Sequence, residues 1–459
     1  MIADGRLRPG DRLPSVRQAR ERRGISASTV FQAYQLLERE GLIVARPQSG
    51  FYVDLPPAER VATPKKSAGV EAAQVQVSDL VFHVLEQVRS RGTAPLGSAF
   101  PGPDLFPLGK LARAGARGMH AMDPGSIVEH LSPGHPRLIE EIELRYRIDG
   151  VSVGAEEIVV TNGALEGLNA SLQIVTQPGD TVVVESPAFY ASLQAIERLG
   201  LKALPVSTCA VTGIDLDALE MALRTEKVAA CWIMPSFQNP TGALMPEARR
   251  RDLVALLAQH AVPLIEDDVY GELYFGSQRP KPAKAFDAQG TVLHCGSFSK
   301  TLAPGYRVGW VAAGRYASQI KRHTLMTTMS ASLPAQTALI QFLQAGGYER
   351  HLRRLRGSLH ARMTAASTVA ESSFPKGTRI SRPRGGYFLW IELPDAMDAM
   401  ALNALALKSR IGVAPGHLFS PDQRFSNCLR INVGHEAPAV LPALRRLGGL
   451  AHELLERSE

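Results

Sequence analysis

A chain of 459 residues has room for two or three folding units, and its 45% apolar content supplies a large core. No apolar run approaches the roughly 18 to 20 residues of a membrane span, the first 25 residues carry seven arginines and no apolar leader core, and Cys209, Cys231, Cys295 and Cys428 stand apart with no Cys-x-x-Cys. This pattern is read as excluding a spanning helix, a secretory leader, a zinc site or other metal centre and a disulfide framework, and it fits a reducing cytoplasm. The net charge of +7 is uneven: residues 1 to 66 hold 12 Lys/Arg against 7 Asp/Glu, a balance of +5, so the amino end favours an anionic partner over a merely solvated face.

In chain order, residues 5 to 17 form a turn-rich lead into a helix, and Gly24 to Val30 is a turn with a serine cap that opens a second helix running to Glu40. Residues 41 to 53 then read as two short strands around a glycine-containing loop. Helix, turn, helix and hairpin outline a winged helix-turn-helix. Leu13-Pro14-Ser15-x-Arg17 and Ser26-x-x-Thr29-Val30 closely resemble the signatures of the GntR family of DNA-binding modules. That resemblance puts Ser26, Ser28, Thr29 and Gln32 at the exposed start of the recognition helix. It puts Arg17, Arg46 and the wing residues Gln48, Ser49 and Gly50 near phosphates. GntR modules usually begin with a further helix, which would be ending at Met1 to Gly5 here, and Ala19, Arg20 and Arg23 stand where relatives have apolar or small core residues. Either the start lies upstream of Met1 or the winged helix is degraded.

Residues 54 to 78, rich in Pro, Ala, Lys, Glu and Val and including Thr63-Pro64-Lys65-Lys66, read as a linker. From Glu156 onward strand and helix patterns alternate. Apolar runs at 181 to 185, 228 to 234, 262 to 265, 291 to 295 and 308 to 313 are separated by helical patterns such as 215 to 224 and 246 to 260, which predicts a doubly wound α/β sheet. From Tyr348 a long arginine-rich helix leads to a strand at 385 to 391.

The chemistry concentrates at Ser297-Phe298-Ser299-Lys300 and Arg307. Lys300 is placed to form a Schiff base with the aldehyde of pyridoxal 5′-phosphate (PLP), Ser297 and Ser299 offer hydroxyls to its phosphate, and Arg307 offers a planar cationic fork. The competing reading is a polar loop before a strand. Asn239-Pro240-Thr241-Gly242 follows the run 228 to 234, and Glu266-Asp267-Asp268-Val269-Tyr270 follows the run 262 to 265, so both sit at carboxyl ends of strands, where open α/β sheets bind ligands. A helix cap for Asp267, a core aromatic for Tyr270 and a turn residue for Asn239 are the plainer readings. Thr161 to Gly167 joins a strand to a helix, so the main chain of Gly163, Ala164 and Leu165 is suited to cradle phosphate, or is simply a glycine turn.

On these residues the chain from about 80 to 459 resembles the class I aminotransferases of PLP fold type I. The resemblance makes Lys300 the Schiff-base lysine, Asp267 the partner of the pyridinium nitrogen, and Asn239 and Tyr270 the partners of the phenolic oxygen. It makes Phe189 the ring-stacking aromatic, with Tyr190 as rival, and Arg430 the clamp on a substrate carboxylate. A tyrosine usual in relatives before Pro133-Gly134 is absent; either His130 replaces it or that contact is missing. The expected fold is an α/β aminotransferase-like large domain with a small carboxyl-terminal α+β domain, residues 79–459, behind a linker at 54–78 and a winged helix-turn-helix at 1–53 that lacks its first helix.

A GntR-type reader fused to an aminotransferase-like body is similar to the MocR regulators. The expectation is therefore a cytoplasmic, homodimeric, PLP-dependent transcription regulator that binds operator DNA and senses PLP, an amine or an amino acid. The alternative is a working aminotransferase with a vestigial reader.

Overall fold

The computed structural model describes residues 11–39, 43–46, 50–53, 63–66, 71–88, 92–125, 131–422 and 424–457. Among these the chain divides into two compact units, residues 1–62 and 63–459.

In the first unit, helix α1 (Val16–Arg23) opens on a capping box in which the Ser15 side chain accepts from the Gln18 N–H and the Gln18 side chain accepts from the Ser15 N–H, and it closes on left-handed Gly24. Helix α2 (Ala27–Arg39) follows, then strands β1 (Ile43–Arg46) and β2 (Gly50–Val53), paired antiparallel. Leu13, Ala19, Val30, Tyr34, Ile43 and Val53 form the core. The Tyr34 hydroxyl donates to Pro14 O at 2.8 Å, tying α2 to the lead-in. Residues 11 to 13 are more than a turn: Leu13 N donates to Phe51 O and Val53 N to Asp11 O, so they add an edge to the hairpin. Ala19 is buried, whereas Arg20 faces solvent.

In the second unit one sheet of nine strands dominates. It comprises β3 (Ala73–Gln74), β4 (Ile158–Thr161), β5 (Thr181–Ser186), β6 (Lys202–Cys209), β7 (Gly213–Ile214), β8 (Val228–Ile233), β9 (Leu264–Asp267), β10 (Val292–Ser297) and β11 (Gly309–Ala312). The spatial order is β3-β6-β5-β8-β9-β10-β11-β4, with β7 on β6. The five strands from β6 to β10 are parallel, and β3, β11 and β4 run against their neighbours. Both faces are covered, as a mostly parallel sheet requires. Val182, Val184, Ala203, Trp232 and Ile265 pack into one core with the helices Ala164–Val175 and Tyr190–Arg198. The alternate residues Val183, Leu204, Val206, Cys231 and Leu264 pack into another with Leu216–Thr225 and Glu247–Gln259. β9 starts at Leu264, two residues later than its apolar run, because Pro263 has no N–H to give the ladder.

A second sheet, β12 (Arg379–Ile380), β13 (Phe388–Glu392), β14 (Ala414–Pro415) and β15 (Cys428–Asn432), has the order β12-β13-β15-β14 and forms the smaller layer. It is flanked by the 26-residue helix Tyr348–Ser373 and by Ala437–Glu456. β13 begins only at Phe388, since Gly386 has φ +71° and turns the chain first. Inside the stretch 54–78, residues 63–66 lie against this unit and Ala73–Gln74 pair with Lys202–Ala203 of β6. No described helix is long and apolar enough to cross a membrane.

Candidate functional site

The carboxyl ends of the parallel strands converge on Lys300, three residues beyond β10. Its Nζ donates to Ala99 O at 3.0 Å and lies 3.7 Å from the centre of the Phe100 ring. Burial, then the neighbouring Arg430 and Arg307 charges, push its pKa down to about 7, against the pull of Asp267. Much of the lysine is therefore neutral and nucleophilic near pH 7.

Asp267 ends β9 and is 1% exposed. Burial chiefly, together with Asp268, lifts its carboxyl to about 7, and Lys300 opposes the rise. A turn follows it, so there is no helix for it to cap. Asn239, fully buried, accepts from Arg430 Nη1 at 3.1 Å. Tyr270 is buried edge-on against Tyr387 and Phe388, 6.0 Å from Lys300 Nζ measured at its ring centre, and burial raises its pKa.

Arg430 comes from β15 of the smaller sheet, its guanidinium 4.4 Å from the centre of the Phe388 ring. Nη2 donates to Gly97 O at 2.8 Å. The Gly97–Phe100 segment thus crosses the site, held also by Tyr387, whose hydroxyl donates to Ala99 O, and by Asn432, whose amide donates to Ser98 O and Phe100 O.

On the other side of Lys300 the anion-ready groups gather. Ser297 Oγ donates to Ser299 Oγ at 2.9 Å, Arg307 Nη1 reaches Ser299 Oγ at 3.4 Å, and Arg307 Nη2 donates to Asn162 O at 3.1 Å. Gly163, at φ +88°, precedes the helix Ala164–Val175, with Ala164 buried and Leu165 exposed at its first turn. A Cβ at Gly163 would fall 2.4 Å from the Arg307 guanidinium. Only glycine lets the helix start and the arginine share this space, and both favour an anion there. Phe189 is half-buried, its ring centre 4.8 Å from that of Tyr190.

Beneath the site lies a buried chain that the sequence reading did not identify. Trp310 Nε1 donates to the Tyr146 hydroxyl at 2.9 Å, which lies 2.6 Å from His294 Nδ1, and His294 Nε2 is 3.2 Å from Asp268 Oδ2. Arg279 pairs with Asp268 at 2.7 Å and holds its carboxyl low. The adjacent Asp267 and Asp268 thus divide: the Asp268 carboxyl is held low by cations, and that of Asp267 is raised by burial.

In the first unit Ser26 Oγ accepts from the Thr29 N–H at 3.1 Å, so Ser26 caps α2, and it lies 2.7 Å from the hydroxyls of both Ser28 and Thr29. Ser26, Ser28, Thr29 and Gln32 are all exposed. Arg17 is exposed and bonds Glu21 one turn on. Arg46 and Gly50 face each other across the hairpin. Gln48 and Ser49, and in the body His130, lie outside the described residues.

Whether PLP suits this site is tested by its unsatisfied groups. Asp267 Oδ1 and Asn239 Nδ2 are buried and without hydrogen-bond partners, a costly arrangement unless a ligand supplies an N–H and an acceptor. With the Gly163–Arg307 cradle and a near-neutral Lys300, the residues fit a phosphorylated aldehyde bearing a ring nitrogen and a phenolic oxygen.

Residues 106–447 match the aminotransferase class I and II family, and residues 1–53 match the bacterial regulatory proteins of the gntR family. The uncharacterized HTH-type transcriptional regulators YdcR and YjiR of Escherichia coli are 46% and 35% identical, each over 99% of this chain and 97% of the relative. The crystal structure of LysN, the α-aminoadipate aminotransferase of Thermus thermophilus complexed with N-(5′-phosphopyridoxyl)-L-leucine, is 29% identical with TM-score 0.75, over 84% of this chain and 97% of that one. The family makes PLP the cofactor of the body. Since the likeness to the two regulators runs through both units, with reader and body in the same order, the chain belongs to the MocR-type branch of the GntR regulators.

Proposed function

We propose that this regulator reads operator DNA through residues 1 to 53 and that PLP, alone or joined to an amino acid or amine, sets how two linked readers are held in a cytoplasmic homodimer. The observation that carries the reading is the coexistence, in one chain, of a helix-turn-helix with an exposed hydroxyl-rich helix start and a body whose cofactor groups are intact, with Asp267 Oδ1 and Asn239 Nδ2 buried and without partners. Lys300 is the attachment point. Asp267 holds the proton of the ring nitrogen, Asn239 and Tyr270 meet the phenolic oxygen, and Phe189 covers the ring face. Ser297, Ser299, Arg307 and the main chain of Gly163, Ala164 and Leu165 take the phosphate. Bound PLP supplies an electron-withdrawing ring that weakens bonds at the carbon of an attached amine.

The chain's own part begins with Lys300, whose neutral amine is available near pH 7. Arg430 gives a carboxylate two parallel donors once it releases Gly97 O and Asn239. The Gly97–Phe100 segment and Tyr387 keep water from the lysine. Two modules on one dimer engage two half-sites, so a weak reader gains through effective concentration.

Transamination is the second reading, favoured by the same intact set of Lys300, Asp267, Asn239, Tyr270 and Arg430. Both are decided by measuring DNA binding and amino-group transfer on one preparation. Deleting residues 1–53 abolishes DNA binding if the chain is a regulator. Rapid transfer with no specific DNA binding would leave the enzyme reading.

A further inference from the structure

The basic pair Lys65-Lys66 is used neither by the reader nor by the cofactor site, yet it is docked. Lys65 N donates to Glu392 Oε2 at 2.8 Å, and Lys65 Nζ lies 3.2 Å from Asp395 Oδ2. Lys66 Nζ pairs with Asp215. Pro64 is buried. Glu392 and Asp395 belong to the smaller layer, at and just beyond the end of β13. Asp215 belongs to the larger one, where its other oxygen caps the helix Leu216–Thr225. Successive residues thus grip opposite layers. The segment lines one side of a half-open pocket of about 190 Å³ whose lining also includes Pro187, Thr241 and Trp390. Pro187 lies two residues before Phe189 and Thr241 two residues after Asn239, and Gln238 bonds both Pro187 O and Thr241.

We propose that residues 63–66 are a strap whose docking surface is the acidic set Asp215, Glu392 and Asp395, and that it reports ligand occupancy of the body to the reader. The inference rests on the regulator reading for its purpose but not for its detection. Arg430 of the smaller layer already bonds Asn239 of the larger. A ligand carboxylate that takes Arg430 replaces this direct bond with a tie through the ligand, and so resets the spacing that the strap must span. The strap follows Ala62, the last residue of the first unit, by one residue, so it is where the body first takes hold of the chain that leaves the reader. Its grip is suited to release, since Lys65, Lys66 and Asp395 are exposed and such pairs are weak and screened by salt.

The test is hydrogen exchange at the Lys65 amide in the full-length protein, with PLP alone and with N-(5′-phosphopyridoxyl)-L-leucine, which adds the carboxylate. The adduct is expected to slow exchange at least about threefold relative to PLP. In Glu392→Gln/Asp395→Asn, exchange is expected to be about tenfold faster and indifferent to the adduct, with adduct affinity retained. Lys66→Met, which changes only the linker side, tests the same point through the Lys65 amide should the double variant fold poorly, and is expected to lose most of the adduct's effect. Exchange unaffected by the adduct, or slowed equally in the variants, overturns the strap even if DNA affinity responds to ligand. A strap that responds while DNA affinity does not would instead count against the regulator reading.

Discussion

Replacing Asp267 by asparagine separates the cofactor reading from a structural one because its two consequences have opposite signs. In the folded chain without ligand the carboxyl is raised from 3.8 to about 7. A carboxyl raised on folding costs nothing below its unfolded value and its full penalty above its folded value. The penalty therefore grows between about pH 4 and pH 7 and, at 1.36 kcal/mol per unit, reaches roughly 4 kcal/mol as an upper bound. The isosteric amide carries no such charge, so Asp267→Asn without ligand should be more stable than wild type at pH 8, by about 2 to 4 kcal/mol, and equal to it near pH 4. With PLP the order reverses. A hydrogen bond to a charged group is worth about 1.5 to 3 kcal/mol, so the variant should bind PLP roughly ten- to a hundredfold more weakly while keeping the phosphate contacts. Denaturant unfolding at the two pH values and a PLP titration followed by absorbance measure both effects. A variant less stable without ligand, with unchanged PLP affinity, would mean that Asp267 serves the fold alone.

Further outcomes follow from the geometry. In Lys300→Ala, borohydride should trap no PLP on the chain, and in the wild type the rate of attachment should rise with a midpoint near pH 7 instead of near 10.5, as stopped-flow absorbance would show. Gly163→Ala forces a Cβ onto the Arg307 guanidinium at φ +88°, so PLP affinity should fall at least about tenfold with the fold retained, since a displaced guanidinium loses a hydrogen bond to the phosphate worth about 1.5 to 3 kcal/mol; unchanged affinity would remove this loop from the phosphate site. Thr29→Ala should weaken operator binding at every salt concentration, and Arg17→Ala should also lower the salt slope by about one if Arg17 exchanges Glu21 for a phosphate, both measurable by anisotropy.

The parts of this molecule legible in the sequence are those written in side-chain periodicity or in short motifs. Val182, Val183 and Val184 are apolar on both faces because both faces of β5 are covered, and the Lys300, Asp267, Asn239 and Arg307 motifs sit at strand ends that the alternation locates. The Gly97–Phe100 segment is hidden from the sequence because it acts chiefly through main-chain carbonyls, which accept from Lys300, Arg430, Tyr387 and Asn432, and because the Phe100 ring beside Lys300 Nζ stands in no motif. The Trp310–Tyr146–His294–Asp268 chain joins four stretches far apart in sequence, with no local spacing that links them. Arg250, on a helix whose charges suggest a solvent face, is fully buried because Met245, Pro235 and Lys281 carbonyls and the Ser236 hydroxyl take its donors. Two-residue β3 carries no pattern at all; it exists because β6 offers an edge.

The central claim is that the aminotransferase-like body controls the reader, and the most direct measurement is the affinity of the full-length protein for the DNA upstream of its own gene, at one fixed salt concentration, without PLP and saturated with it. A coupling of about 1 kcal/mol or more predicts at least a fivefold change in affinity, lost in Lys300→Ala. The same affinity in both states, with PLP demonstrably bound, would contradict it.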